Sequence, residues 1–187
     1  MSEGIRELGV GSSESGVVGK FILMKTVILV RHAKSDWGDP SLSDVDRPLN
    51  QRGKRDAPEM AKRLKDRGLK IDALITSPAK RARKTAVVFC KELEMKRDRF
   101  IEEPDLYGAS EEEFYEVLEN LRDKFDCVAL FSHNPGLTDF ANQLTTMRVD
   151  NIPTTGIVAV RADCGKWSDF KEAKKEFLFF DYPKLKG

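Results

Sequence analysis

Val27-Ile28-Leu29-Val30 runs straight into Arg31-His32, and the reading of these six residues decides how the rest of the chain is understood. Four consecutive apolar residues, three of them β-branched, suit a strand covered on both faces, as in a parallel sheet held between helices. A polar stretch with Pro40, Pro48 and Gly53 follows. Then Ala57, Met60, Ala61 and Leu64 fall at i, i+3, i+4 and i+7, one apolar helical stripe. Gly68 stands where a left-handed residue would end that helix.

The strand-then-helix unit recurs downstream. Ala73-Leu74-Ile75 reads as a second buried strand, and Ser77-Pro78 opens a helix with Ala82, Ala86, Phe89, Cys90 and Leu93 on one side. Ser110 and Glu113 form a capping box ahead of Phe114, Val117, Leu118 and Leu121. Cys127-Val128-Ala129-Leu130-Phe131 is a third buried strand, followed by a helix carrying Leu137, Phe140, Ala141 and Leu144. Residues 157–160 and 177–180 add strand candidates. Alternation of this kind predicts an α/β fold: a three-layer α/β/α domain over residues 24–187, with a mainly parallel central sheet.

The chain of 187 residues is 40% hydrophobic and 34% charged, with a formal net charge of +1. No global field therefore draws it to nucleic acid or to a membrane surface. The basic run Lys80-Arg81-Ala82-Arg83-Lys84 lacks the interleaved aromatics of a nucleic-acid groove. No segment approaches the ~20 apolar residues of a membrane span. Residues 1–23 read as a flexible extension through Gly9-Val10-Gly11-Ser12-Ser13-Glu14-Ser15-Gly16, and Met24-Lys25-Thr26 looks like a natural start. Cys90, Cys127 and Cys164 form no Cys-x-x-Cys pair. They suit structural thiols in a reducing cytosol, so a cytoplasmic protein is expected.

In open α/β sheets, ligands bind beyond the carboxyl ends of the strands. The chain has only two histidines, His32 and His133, and each directly follows a buried strand. The second strand ends at Ser77-Pro78, with Arg81 one residue into the basic run. Parallel strands would bring all three ends to one edge. Guanidinium groups and helix N-termini favour a dianion there, and Arg matches phosphate oxygens in bidentate fashion. An imidazole with a pKa of about 6.5 is largely neutral at cellular pH and can attack phosphorus. Catalysis of phosphoryl transfer rests mainly on fixed positive groups and positioning. Two Arg and two His supply these parts. With no His-Glu-x-x-His, Cys-x-x-Cys or Asp-x-Asp cluster in sight, neither a metal nor a cofactor is expected.

Leu29-Val30-Arg31-His32-Ala33-Lys34-Ser35 resembles the Arg-His signature of the histidine phosphatase superfamily, which includes phosphoglycerate mutases and acid phosphatases. Arg47-Pro48-Leu49-Asn50-Gln51-Arg52-Gly53 is similar to its Arg-Pro-Leu-(Thr/Asn)-x-x-Gly segment. The stretch from Ser77 to Ala86 is similar to its Ser-Pro-x-x-Arg-Ala-x-x-Thr-Ala helix start. Ser132-His133-Asn134-Pro135 resembles the second histidine as it occurs in the small SixA-like phosphohistidine phosphatases. The resemblance implies a phosphoglycerate mutase-like fold and a metal-independent phosphatase. It makes His32 the nucleophile, with Arg31, Arg81 and His133 binding the phosphoryl group. Helical period alone leaves Arg81 and Arg83 open; the Arg-Ala match points to Arg81, with Arg83 at the rim. Arg47 and Asn50 are expected at the pocket mouth as substrate-binding residues, and Ser77 as structural.

Larger members of that family supply a Glu that protonates the leaving group, and Tyr107 stands where it would be expected. An alkoxide leaving from a monoester needs such an acid; a phosphorylated imidazole leaves after protonation by solvent. The departure therefore implies phosphohistidine in proteins as substrate. Asp36, Asp39 and Asp46 are alternative acids, and Glu111, Glu112 and Glu113 suit the helix dipole instead. Trp37 is either a rim contact or packed. The competing expectations are a small phosphomonoester as substrate, or a non-catalytic phosphoryl-binding adaptor.

Overall fold

The protein is described by a computed structural model over residues 23–185, so the extension expected over 1–23 lies, apart from Leu23, outside the described residues. Six strands form one sheet: β1 (Lys25–Arg31), β2 (Ala73–Thr76), β3 (Phe100–Glu102), β4 (Cys127–Ser132), β5 (Ile157–Ala162) and β6 (Lys175–Asp181). Their order is β3-β2-β4-β1-β5-β6. The first four run parallel; β5 pairs antiparallel with β1, and β6 pairs antiparallel with β5 at the sheet edge. The expected mainly parallel α/β/α architecture is what forms. The helices are α1 (Gln51–Asp66), α2 (Lys80–Glu92), α3 (Glu111–Glu119) and α4 (Gly136–Leu144). None of the described helices is long and apolar enough to cross a membrane.

Period-2 alternation sorts each strand between the two faces. From β1, Ile28 and Val30 pack with Met60, Leu64, Ala86 and Phe89 of α1 and α2. Val27 and Leu29 pack on the other face with Phe114 and Leu118 of α3 and Phe140 of α4. Each fully buried Phe or Leu on these faces contributes ~1.5–3 kcal/mol. Buried charges at the margin are paired: Asp181 of β6 takes Arg67 at 3.0 Å and also Arg63, which ties the last strand to α1. The helix ends follow the sequence signals. Gly68 lies just past α1 with φ +69°, and Ser110 and Glu113 make the reciprocal capping box of α3.

Strand β3 has no counterpart in the sequence reading. Three residues at the sheet edge, two half-buried and one exposed, are too short to show a period. Its position matters, because the eight residues after it carry Tyr107 and lead into α3 through a single 3-10 turn, Pro104–Leu106.

Sheet register sets the site. Arg31 lies opposite Ser132, and Thr76 opposite Phe131, so β1, β2 and β4 end level with one another. The next residues, His32, Ser77 and His133, therefore meet at one edge. Antiparallel β5 starts at that edge too, since Val30 pairs with Ile157.

Candidate active site

Backbone contacts on every side hold the exit of β1. His32 N–H donates to Ser132 O at 3.1 Å, and Ala33 N–H donates to the Thr85 hydroxyl at 2.9 Å. Thr85 thus ties α2 to the residue after His32. From the opposite side, Thr155 N–H donates to Arg31 O at 3.1 Å and His32 O at 3.3 Å. Thr155 is buried with φ +63°, a left-handed conformation that a β-branched residue rarely adopts. Strain of this kind is kept where the surrounding structure over-determines the backbone. Gly53 has a simpler reason: a Cβ there would lie 2.3 Å from Lys34 O, so the Arg47-to-Gly53 segment folds tightly back along the loop after His32.

These contacts surround a cleft of about 460 Å³, lined by Arg31, His32, Asp44, Arg47, Arg81, Tyr107, His133 and Thr154, with Trp37 at its rim. His32 and His133 have ring centroids 5.0 Å apart. Ala33 O is 2.8 Å from His32 Nδ1, and a carbonyl only accepts, so Nδ1 holds the proton and Nε2 keeps its lone pair. Arg81 Nε lies 3.4 Å from that Nε2. Burial, partly opposed by the Ala33 hydrogen bond and reinforced by Arg81, Arg31 and Arg47, holds the His32 pKa down at about 4. Burial, with His32 and Arg81 adding to it, holds His133 at about 3. Both imidazoles are neutral across the physiological range.

His133 Nε2 is 2.8 Å from the Ser77 hydroxyl, which accepts from Ala79 N–H at 3.3 Å and has its own proton to give. The hydroxyl can donate to Nε2 or accept from it; in the tautomer where it donates, His133 carries its ring N–H at Nδ1. Among the described residues, this buried Nδ1 has no partner, nor do Arg31 Nε and Arg47 Nε and Nη1. Unpaired buried donors cost about 1–3 kcal/mol each, so such a set around one cleft points to an anion that satisfies them. Arg31 is aimed by its own anchor: Nη1 donates to Ile152 O at 2.6 Å and Asn151 Oδ1 at 3.1 Å. Ser77→Ala should lower kcat about tenfold per folded molecule, the worth of one lost hydrogen bond to the ring. Parallel kcat and thermal-melting measurements check this; unchanged kcat would leave Ser77 a purely structural role.

A family model of the histidine phosphatase superfamily (branch 1) matches residues 27–154. The chain belongs to the histidine phosphatase superfamily. Membership supports phosphatase activity, with a phosphorylated compound as substrate. An uncharacterized chloroplastic protein of Arabidopsis thaliana is 28% identical over 159 residues, covering 79% of this chain and 71% of that protein. A 2,3-bisphosphoglycerate-dependent phosphoglycerate mutase of Mesorhizobium japonicum is 37% identical over 95 residues, 46% of this chain and 45% of the mutase. The chain thus matches less than half the length of that mutase. In fold, the protein histidine phosphatase SixA complexed with tungstate superposes with a TM-score of 0.72 at 22% identity, covering 84% of this chain and 97% of that one. A phosphoglycerate mutase from Plasmodium falciparum superposes with a TM-score of 0.58 at 19% identity, covering 88% and 97%.

Within this superfamily member, the structure brings Arg31, His32, Arg81, His133 and Arg47 into one cleft. Asn50 is a correction: it does not line the cleft but caps α1, its Oδ1 accepting from Gly53 N–H at 2.9 Å. Arg83 points away and pairs with Glu102 at 2.8 Å. Trp37 is a rim residue, 70% exposed and stacked on the Arg47 guanidinium at 3.5 Å.

The acids in the loop after His32 are a second correction. None of Asp36, Asp39 and Asp46 lines the cleft; they hold Gly38 N–H, Ser41 and the Ser43 hydroxyl. Asp44, which sequence reasoning missed, is the carboxylate that enters. Its Oδ2 accepts from Arg81 Nη2 at 2.8 Å and from the Tyr107 hydroxyl at 2.8 Å. Its Oδ1 accepts from Arg47 at 2.5 Å. Burial alone would raise its pKa; the Tyr107 hydroxyl and the two guanidinium groups outweigh that and hold it at about 2. No periodicity signal separates Asp44 from its three neighbours, because the loop is irregular. Thr154 and Thr155 were likewise overlooked, since a strand expected at 157–160 gives no hint that its approach supports another strand's exit.

Proposed function

We propose that this chain is a metal-independent phosphatase that carries a phosphoryl group on His32 and takes it from phosphohistidine in proteins. The observation that carries the reading is the neutral His32 imidazole, its Nδ1–H spent on Ala33 O and its Nε2 lone pair beside Arg81. In the first half-reaction Nε2 attacks phosphorus while the substrate's P–N bond breaks, its electron pair going to the leaving imidazole. The free Nε of Arg31 and the free Nδ1 of His133 face the charge on the equatorial oxygens, with the Arg81 guanidinium adding its positive charge beside them. In the second, water attacks the phosphorylated His32, and the P–N bond pair returns to the ring.

Two features favour phosphohistidine over a phosphomonoester. The carboxyl that does reach the cleft, Asp44, is ionised with a pKa of about 2 and is no proton source for a leaving alkoxide. The cleft mouth also carries exposed Trp37 and Tyr107 rather than a helical cover, which suits a side chain presented by another protein. The test is a side-by-side rate measurement on a phosphohistidine peptide and a phosphoserine peptide of the same sequence. The phosphohistidine peptide should turn over at least about tenfold faster, corresponding to a barrier difference of ~1.4 kcal/mol. Faster phosphoserine turnover would move the assignment to a monoesterase.

A further inference from the structure

The site contains a charge that a simple phosphate pocket would not place there. Asp44 rests on Arg81, the guanidinium that also reaches His32 Nε2. An incoming phosphoryl dianion meets this carboxylate as a like charge, which lowers the pocket's affinity for free phosphate. The arrangement is nevertheless built: Arg81 Nη1 additionally donates to Asp44 O at 2.6 Å, and Arg47 and the Tyr107 hydroxyl hold the carboxylate from two other segments. A carboxylate has about four acceptor sites. Three are taken, two at Oδ2 and one at Oδ1, and the side chain, 48% exposed, lines the cleft. One lone pair of Oδ1 remains for a donor arriving with the substrate.

We infer that Asp44 is a selectivity residue, a fixed anion that accepts the ring N–H of a phosphorylated imidazole and so favours cationic P–N leaving groups over neutral or anionic ones. This rests on the phosphatase reading given above and names its source of discrimination. A phosphorylated imidazole departs readily only when its far nitrogen is protonated. His32 Nε2 then forms a bond to phosphorus, the substrate's P–N bond breaks with its pair going to the ring nitrogen, and neutral imidazole leaves with its far N–H intact. A carboxylate facing that N–H keeps the proton on the ring until the bond breaks. An ester presents no such proton and meets only the repulsion between Asp44 and its phosphate. One residue therefore helps one substrate class and hinders the other.

The experiment compares wild type with Asp44→Asn on a phosphohistidine peptide and on p-nitrophenyl phosphate, whose leaving group needs no proton. In the variant kcat/KM for the phosphohistidine peptide should fall about tenfold, the effect of lowering the ring pKa by one unit at a pH above it. For p-nitrophenyl phosphate it should rise, and inorganic phosphate should inhibit more strongly. Asp44→Glu should keep part of the wild-type preference. Tyr107→Phe, which loosens the carboxylate without removing it, should shift the ratio the same way by less, so the inference stays testable if Asp44→Asn folds poorly. Equal losses on both substrates would overturn it, making Asp44 a structural clasp; equal gains would overturn it too, making Asp44 a mere obstruction. Wild type inactive on both would instead sink the phosphatase reading, and this inference with it.

Discussion

His32→Ala should abolish turnover if His32 is the proposed nucleophile, with kcat on any phosphorylated substrate falling by about 10⁴-fold or more, the scale seen when a catalytic nucleophile is removed. Nothing else in the cleft can take over. His133 is the other imidazole, but its Nε2 is engaged by Ser77 and its ring lies 5.0 Å away. Trapping gives a second readout. Wild type quenched into base during turnover should carry a base-stable, acid-labile phosphoryl group, and His32→Ala should carry none. Residual activity within tenfold of wild type, or a labelled variant, would sink the assignment. The same ring sets the acid limb of the rate profile. Because its pKa is held at about 4, Nε2 keeps its lone pair as pH falls through 6.5. The limb of kcat/KM due to this group should therefore appear near pH 4, where protonation removes the nucleophile.

Arg81→Lys is the second large effect, about 10²–10³-fold in kcat, the cost of removing a preorganised donor to developing charge. Lys keeps the charge but not the fork that reaches His32 through Nε and clasps Asp44 through Nη1 and Nη2. The informative control lies two residues on. Arg83 is exposed and paired with Glu102, so Arg83→Lys should change kcat less than twofold on the same assay, surface positions being worth within ±0.5 kcal/mol. Comparable losses at both positions would mean that the register of the helix start had been misjudged.

Legibility in the sequence tracked periodicity and local chemistry. Buried parallel strands are apolar runs, and helices packed on them show i, i+3, i+4, i+7 stripes, so β1, β2, β4 and all four helices could be read. The capping box at Ser110 and Glu113 is local and was equally legible. Strand β3 was not, because three residues at an edge carry no pattern. Asn50 illustrates the opposite failure. A polar residue in a family-like segment suggested ligand contact, whereas an Asn three residues ahead of Gly53 is also an N-cap, and the cap is what forms.

The sequence by itself determined the layered α/β fold and the quartet of Arg31, His32, Arg81 and His133, since each member sits at a fixed offset from a strand end or helix start. Only the tertiary structure decided what surrounds them. Asp44 reaches Arg81 across 37 residues, Tyr107 reaches Asp44 across 63, and Thr155 holds the backbone of His32 from the start of an antiparallel strand. Contacts of that kind depend on where irregular loops are carried by the sheet, and no local period encodes such a distance. The Arg-His dipeptide that ends β1 could thus be read from its own residues, but the anion that faces it could not.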